Sequence, residues 1–332
     1  VTARAGFLVL LASSGVAGVA GADEYLPLEK AGDLADPRLK EVSGLARVTG
    51  RPRYYWVHND SGDGPRIFAI HETGKVIAEV AVTGAAASDW EDIANGPGPL
   101  AGRPYLYIAD TGNNKLGRNR FTIYRLEEPE LPALDPGQKF GSAPADRIRF
   151  RYPDGTFDCE AMAVHPGTGT IYLATKMLTA SYVYALDPGG EEKKTRVARK
   201  VGTLRPRFYV TGADIALDGR RFLVRTYFGV EEYRLPAGQT DFEEVFSQRL
   251  VALPSPRNEL IGEAIAYDHE GTGYVTASEV PKVLHRARRQ AGETGKAPEK
   301  APPSRPDDAP EKAAPGNGAG ADPGAGKAPA GR

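Results

Sequence analysis

The chain has one cysteine, Cys159, in 332 residues. A single thiol excludes an intramolecular disulfide and any zinc site built on several cysteines. Lying in a predicted strand, it reads as a small apolar packing residue. A basic surplus is also missing: 42 Lys and Arg stand against 43 Asp and Glu, a formal net charge of −1. That balance argues against a nucleic-acid binder, which would carry excess positive charge on one face. No G-x-S-x-G, H-E-x-x-H, P-loop or G-x-G-x-x-G motif occurs, so the short signatures of serine hydrolases, zinc proteases and nucleotide-binding folds are not there to argue from. Histidines are few, and His71, His165, His269 and His285 fall in predicted turns or strands without companions.

The apolar stretch at the N-terminus is too short and too rich in Gly and Ala for the ~20 strongly apolar residues of a membrane span. With Arg4 ahead of it and Ala20-Gly21-Ala22 behind it, it reads as an export signal over residues 1–22, cleaved before Asp23. The mature chain is then expected outside the cytoplasm with no transmembrane segment. At the other end, residues 291–332 contain no aromatic residue and no Leu, Ile, Val or Met. Such a composition cannot bury enough apolar surface to offset its ordering entropy, which predicts a disordered Ala/Pro/Gly-rich spacer. The folded part is therefore expected over 23–290.

What is present is a repeat. Ser43-Gly44-Leu45-Ala46, Glu91-Asp92-Ile93-Ala94, Glu160-Ala161-Met162-Ala163, Ala213-Asp214-Ile215-Ala216 and Glu263-Ala264-Ile265-Ala266 share a frame of two small or acidic residues, an aliphatic or Met, then a small residue. First positions at 43, 91, 160, 213 and 263 are spaced by 48, 69, 53 and 50. Periods of that size, each holding several short strands separated by Gly/Pro/Asp turns, mark a β-propeller. The fold class is all-β, with five blades. The Pro-rich insertion Pro129 to Pro144 accounts for the longest interval, and the fourth blade is expected to end in a strand over Val245–Leu250. The fifth blade has no fourth strand of its own. The orphan segment at residues 25–34 can supply it and close the ring, removing exposed sheet edges.

In a propeller the first strand of each blade lines the central channel. Alternation along a strand then brings Asp89 and Glu91, Asp158 and Glu160, and Glu263 to the channel, in register with Thr211 and Ala213 in blade four. The aliphatic position two residues later would share that face, so either the motif turns near the mouth or the alternation breaks there. Gathered carboxylates repel one another unless a cation intervenes. Calcium suits them, since it takes six to eight oxygen ligands in loose geometry, whereas zinc would want His or Cys. Glu91, Glu160, Glu263, Asp89 and Asp158 are the candidate metal ligands; hydrogen bonding to neighbouring inner strands is the plainer alternative. The ends of the second strands add Asn59, Asp60, Asp110, Lys176 and Arg225 as candidate ligand-binding residues. Turn chemistry explains the Asp and Asn positions equally well, but not the two cations, which suit a phosphate or carboxylate. His58 beside Asp60 is a candidate general base, or a turn cap. Asn59-Asp60-Ser61 also matches a glycosylation sequon, and Trp56 and Trp90 read as packing residues.

Several stretches then resemble a group of exported bacterial propellers related to the phytase-like and SdiA-regulated families. They are Trp56-Val57-His58-Asn59-Asp60-Ser61-Gly62-Asp63, Asp89 to Ala94, Tyr107 to Asn114, Tyr152-Pro153-Asp154-Gly155 with Asp158 to Ala161, and Thr175-Lys176. The resemblance covers roughly residues 38–280. It implies a five-bladed propeller with a calcium-binding role, and the phytase-like side implies phosphoesterase chemistry, although no complete phytase motif is matched. Ala213 departs from the acidic pattern in blade four. The expected function is thus an exported propeller binding a divalent cation, calcium, together with a small polar or anionic ligand or an envelope component. A calcium-dependent hydrolase of phosphate esters or lactones, and a protein-docking scaffold, are the alternatives.

Overall fold

The computed structural model describes residues 25–131, 138–142, 144–206 and 208–290. The signal expected at 1–22 and the spacer at 291–332 lie outside the described residues. Strand β1 (Glu29–Asp33) precedes blade one, made of β2 (Val42–Arg47), β3 (Tyr54–Asn59), β4 (Arg66–His71) and β5 (Val76–Ala81). Blade two has β6 (Trp90–Pro97), β7 (Pro104–Asp110), β8 (Phe121–Glu127) and, after the short β9 (Gln138–Gly141), β10 (Asp146–Arg151). Blade three has β11 (Cys159–Val164), β12 (Ile171–Thr175), β13 (Ser181–Leu186) and, after β14 (Arg196–Val197), β15 (Arg199–Leu204). Blade four has β16 (Val210–Ile215), β17 (Arg221–Thr226), β18 (Gly229–Arg234) and β19 (Val251–Leu253), and blade five has β20 (Ile261–Tyr267), β21 (Gly273–Val280) and β22 (Lys282–Arg288). Within each blade the consecutive strands pair antiparallel and the first strand is innermost, so the fold is the expected five-bladed propeller.

The ring closes as the missing strand predicts. β1 pairs antiparallel with β22, Glu29 opposite Arg286 and Asp33 opposite Val283, and Tyr25 bridges to Arg289. Without β1, β22 would present an unpaired edge. Gly32 lets the closing strand press onto the turn after β4, because a Cβ there would stand 2.1 Å from the Thr73 carbonyl carbon. Blade five is thereby seated on blade one, with Leu34, Leu39, Leu45, Val57, Ala264 and Leu284 sharing one buried apolar layer. Comparable layers fill the other blade interfaces. Cys159 is buried in the layer between blades two and three. Trp56 and Trp90 are packing residues, each with its indole N–H satisfied, by Glu128 and by the Ala86 carbonyl at 2.8 Å.

One expectation is corrected. Val245–Leu250 is not blade four's outer strand. Phe242–Ser247 forms a 3-10 turn capped by Asp241, whose side chain accepts from the Glu243 N–H, and Phe242, Val245 and Phe246 are buried at helical spacing. The strand comes later, as β19. Within the Pro-rich insertion, β9 pairs parallel with β5 and becomes a fifth strand of blade one. In the same way β14 leaves blade three to pair with β10. Both segments find an open outer edge of a preceding blade, a non-local partner that local patterning does not announce.

Candidate metal centre at the channel mouth

Every inner strand carries a β-bulge at the repeat motif. Pairing with the second strand slips between Val42 and Gly44, Trp90 and Asp92, Cys159 and Ala161, Val210 and Gly212, and Gly262 and Ala264. The extra residues are Ser43, Glu91, Glu160, Thr211 and Glu263. A bulge re-aims a side chain and breaks alternation, so the acids and the aliphatic residues two positions later take different surroundings. It also corrects the frame in blade four: the equivalent of Glu91 is Thr211, two residues before Ala213. Its hydroxyl donates to the Gly262 carbonyl at 2.8 Å, as Ser43 does to the Glu91 carbonyl at 2.6 Å. Blades one and four thus use the bulge to join inner strands, and blades two, three and five use it to present a glutamate.

A second ring lies on the second strands, one residue after the partner of the residue that precedes each bulge: Asp60, Thr111, Lys176, Tyr227 and Glu279. The first and second rings are brought together on one side. An oxygen each from Asp60, Asp89 and Glu91 lie within 4.8 Å of one another, as do oxygens from Glu91, Asp158 and Glu160. Two ligands 2.3–2.6 Å from a calcium ion stand at most about 5 Å apart, so both groups have the span of a shared cation. Glu91 belongs to both. It is 2% exposed, and its carboxyl accepts no hydrogen bond from a described residue. Glu160 gives one oxygen to the Lys176 ammonium, and its other oxygen is buried without a partner among the described residues.

The supports of these carboxylates are backbone and buried polar groups. The Asn113 N–H donates to Asp158 at 2.6 Å, the Lys176 N–H to the Asp158 carbonyl at 2.9 Å, and the Asp60 N–H to the Glu41 carbonyl at 2.7 Å. Gly112 backs onto the cluster, since a Cβ there would lie 1.9 Å from a Glu91 oxygen and 2.4 Å from the Asp89 carboxyl. Asp110 accepts the Asp89 N–H at 3.2 Å and is ion-paired with Arg118 at 2.8 Å.

Crowding and burial show in the acidities. Burial, then Glu160, Asp60 and Asp89, raise Glu91 well above the usual carboxylate range. Burial raises Glu160 to about 8 even against Lys176, Glu279 to about 7 and Asp60 to about 6, and it raises Glu263 well above normal, with Glu160 adding to it. Lys176 keeps its proton, because Glu160 outweighs the cost of its burial. The sign follows: folded-state values above those of the unfolded chain give stability that is full at low pH and lost as pH rises through the folded values. Between pH 5 and 8.5 the melting temperature of chelator-treated protein is expected to fall, by on the order of 5 °C. Scanning calorimetry across that range checks it, and a flat profile would mean the carboxyls are not held as described.

The remaining sequence candidates fall elsewhere. Glu263 acts on Glu160 and Asp60 electrostatically but joins neither oxygen group. Asn59 holds loops rather than facing a ligand, accepting the Lys40 and Glu41 N–H groups at 2.8 and 3.3 Å and donating to Asp63. Asp110 likewise sits behind Asp89. His58 is fully buried beside Trp90, with Nδ1 2.9 Å from the Asn59 carbonyl, and burial pushes it down to about 4; it does not reach the mouth as a base. Arg225 is two residues short of the second ring and is buried against Glu259; Tyr227 holds the position level with Lys176, whose ammonium lies 5.1 Å from its ring. Sequence reasoning passed over Tyr227 and Glu279 as site residues. Their place one residue after Thr226 and Ser278, matching Asp60 after Asn59, is the signal that finds them.

No protein-family model matches the chain, and no curated protein matches it. Among solved structures, an inferred oxidoreductase (glucose dehydrogenase) from Thermus thermophilus is 13% identical with a TM-score of 0.41, over 78% of this chain and 99% of that one. Its activity is not carried over to this chain. No helix among the described residues is long and apolar enough to cross a membrane.

Proposed function

We propose that this propeller binds a divalent cation at its channel mouth, calcium by its donor set, and uses it to hold a small polar or anionic ligand or an envelope component. One observation carries the reading: Glu91, buried and with a carboxyl that accepts no hydrogen bond from a described residue, is shared by two groups of carboxylate oxygens, each with the spacing of a coordination sphere. The donors are all oxygen, which favours calcium over zinc. Asp60, Asp89, Glu91, Asp158 and Glu160 are the proposed ligands, with Glu263 and Glu279 adding negative field. Lys176 beside them supplies the cation that an anionic ligand needs. The hydrolase alternative is weaker because His58 is sealed away, so a base would have to come from the carboxyls. The chain division proposed with this reading is an export signal at 1–22, the propeller at 23–290 and a spacer at 291–332.

Elemental analysis of protein purified without chelator, followed by calcium titration and melting, tests the proposal. About one calcium per chain is expected. At a hundredfold excess over Kd the stabilisation is about 2.7 kcal/mol, which is roughly 5–10 °C in a domain of this size. Magnesium, which demands tighter octahedral geometry and dehydrates reluctantly, is expected to give a smaller shift. No shift at millimolar calcium would leave the docking-scaffold reading standing in its place.

A further inference from the structure

Arg225, Glu259 and His285 come from β17, the loop after β19, and β22, and Glu259 contacts both of the others. Arg225 and Glu259 form an ion pair with both side chains at 0% exposure. The other Glu259 oxygen accepts from His285 Nδ1 at 2.7 Å. Gly262 makes the room, for a Cβ there would stand 1.8 Å from the Arg225 guanidinium. A fully buried ion pair is a poor source of stability, because desolvation offsets the attraction; here it does something else. Arg225 neutralises Glu259, and Glu259 fixes the imidazole with Nδ1 turned inward. Nε2, on the far side of the ring, makes no hydrogen bond among the described residues.

His285 and Glu259 line a cleft of about 730 Å³, whose other walls include Leu28, Phe228, Leu253 and Pro254, together with Arg257. Phe228 is 44% exposed, and Arg257 is exposed. The volume lies in the range of small-molecule sites, which are mostly apolar with a few placed polar groups.

We propose that this cleft is a binding site, separate from the channel mouth, for an amphipathic organic carboxylate. The apolar walls take the hydrocarbon or ring body. Arg257 and His285 Nε2 take the acid group. The ligand binds as its carboxylate and Nε2 takes up a proton from solvent on binding, so that ligand, His285, Glu259 and Arg225 form a succession of alternating charges. A neutral alcohol with the same tail cannot supply that charge, and a short acid cannot fill the walls.

The test uses octanoate, n-octanol and acetate with the full chain, followed by calorimetry and saturation-transfer NMR. Octanoate is expected to bind one to one, with n-octanol and acetate at least tenfold weaker. Arg257→Ala and His285→Gln are each expected to weaken octanoate at least fivefold while leaving the calcium-dependent melting shift unchanged, which separates this site from the cation site. Absence of octanoate binding at 10 mM, equal affinity for n-octanol, or wild-type affinity in either variant overturns the proposal. Should His285→Gln fail to fold, Arg257→Ala, a change at an exposed loop position, decides alone.

Discussion

In Glu91→Gln the melting response to calcium is expected to collapse while the cation-free protein becomes more stable above neutral pH. Both effects come from one side chain. Glu91 contributes to the Asp60/Asp89 group and to the Asp158/Glu160 group, so replacing it removes a charged ligand from whichever group holds the ion. Loss of about two orders of magnitude in calcium affinity is expected, equivalent to about 2.7 kcal/mol. Without a cation the same carboxyl is a burden, since burial and the acids around it oppose its ionisation. Glutamine keeps the shape and removes the charge, so the chelated variant should melt a few degrees higher at pH 8 and no higher at pH 5. Glu160→Gln makes the contrast, because it also strips Lys176 of its partner and should lower cation-free stability. Calorimetry at the two pH values, with and without calcium, reads all of this. If Glu91→Gln kept its calcium response, the mouth would not be the metal centre.

Much of this architecture is legible in the sequence because a propeller repeats itself. The small/acidic-aliphatic pattern located every inner strand, and the missing outer strand of blade five called for the N-terminal segment that became β1. The legibility ends where a bulge intervenes. Alternation counts residues, and a bulge adds one without marking it, so Ala213-Asp214-Ile215-Ala216 matched the motif while Thr211 held the position. A matching two-residue offset put Arg225 in the ligand ring in place of Tyr227. Arg225 pairs with Gly212 and Thr226 with Val210 across the bulge, which sends the arginine into the blade interface. Asn59 and Asp110 have the composition of ligands and the work of loop anchors, a distinction made by which N–H groups face them. The Glu259–His285 contact joins residues 26 apart on a loop and a strand, and nothing local to either residue announces it.

Asp92→Ala is expected to be the most destabilising single change in the propeller, costing about 3–5 kcal/mol. Asp92 follows the bulge in blade two and is fully buried. One of its oxygens accepts the Ile93 N–H at 2.8 Å. The other accepts the N–H groups of Met162 at 2.8 Å and Ala213 at 3.2 Å, so a single carboxyl ties together the inner strands of blades two, three and four. Those strands line the channel, and few other partners are available to their N–H groups there. Alanine would leave three buried donors unpaired together with a small void. Asparagine fills the space but offers one acceptor oxygen in place of two, and is expected to cost less, about 1–2 kcal/mol. Urea unfolding would show the loss as a lower midpoint at unchanged slope, the sign of an altered stability with the same surface exposed. Asp214 repeats the device further along the channel, accepting from Ile215 at 2.8 Å, Tyr267 at 2.9 Å and Arg47 at 3.2 Å, so the double variant should unfold the chain at room temperature. Because Asp92 is not among the proposed ligands, calcium affinity of folded Asp92→Asn should match wild type. A loss of stability under about 1 kcal/mol in Asp92→Ala would show that water or a shifted strand satisfies those N–H groups, and that the inner strands do not depend on this carboxyl.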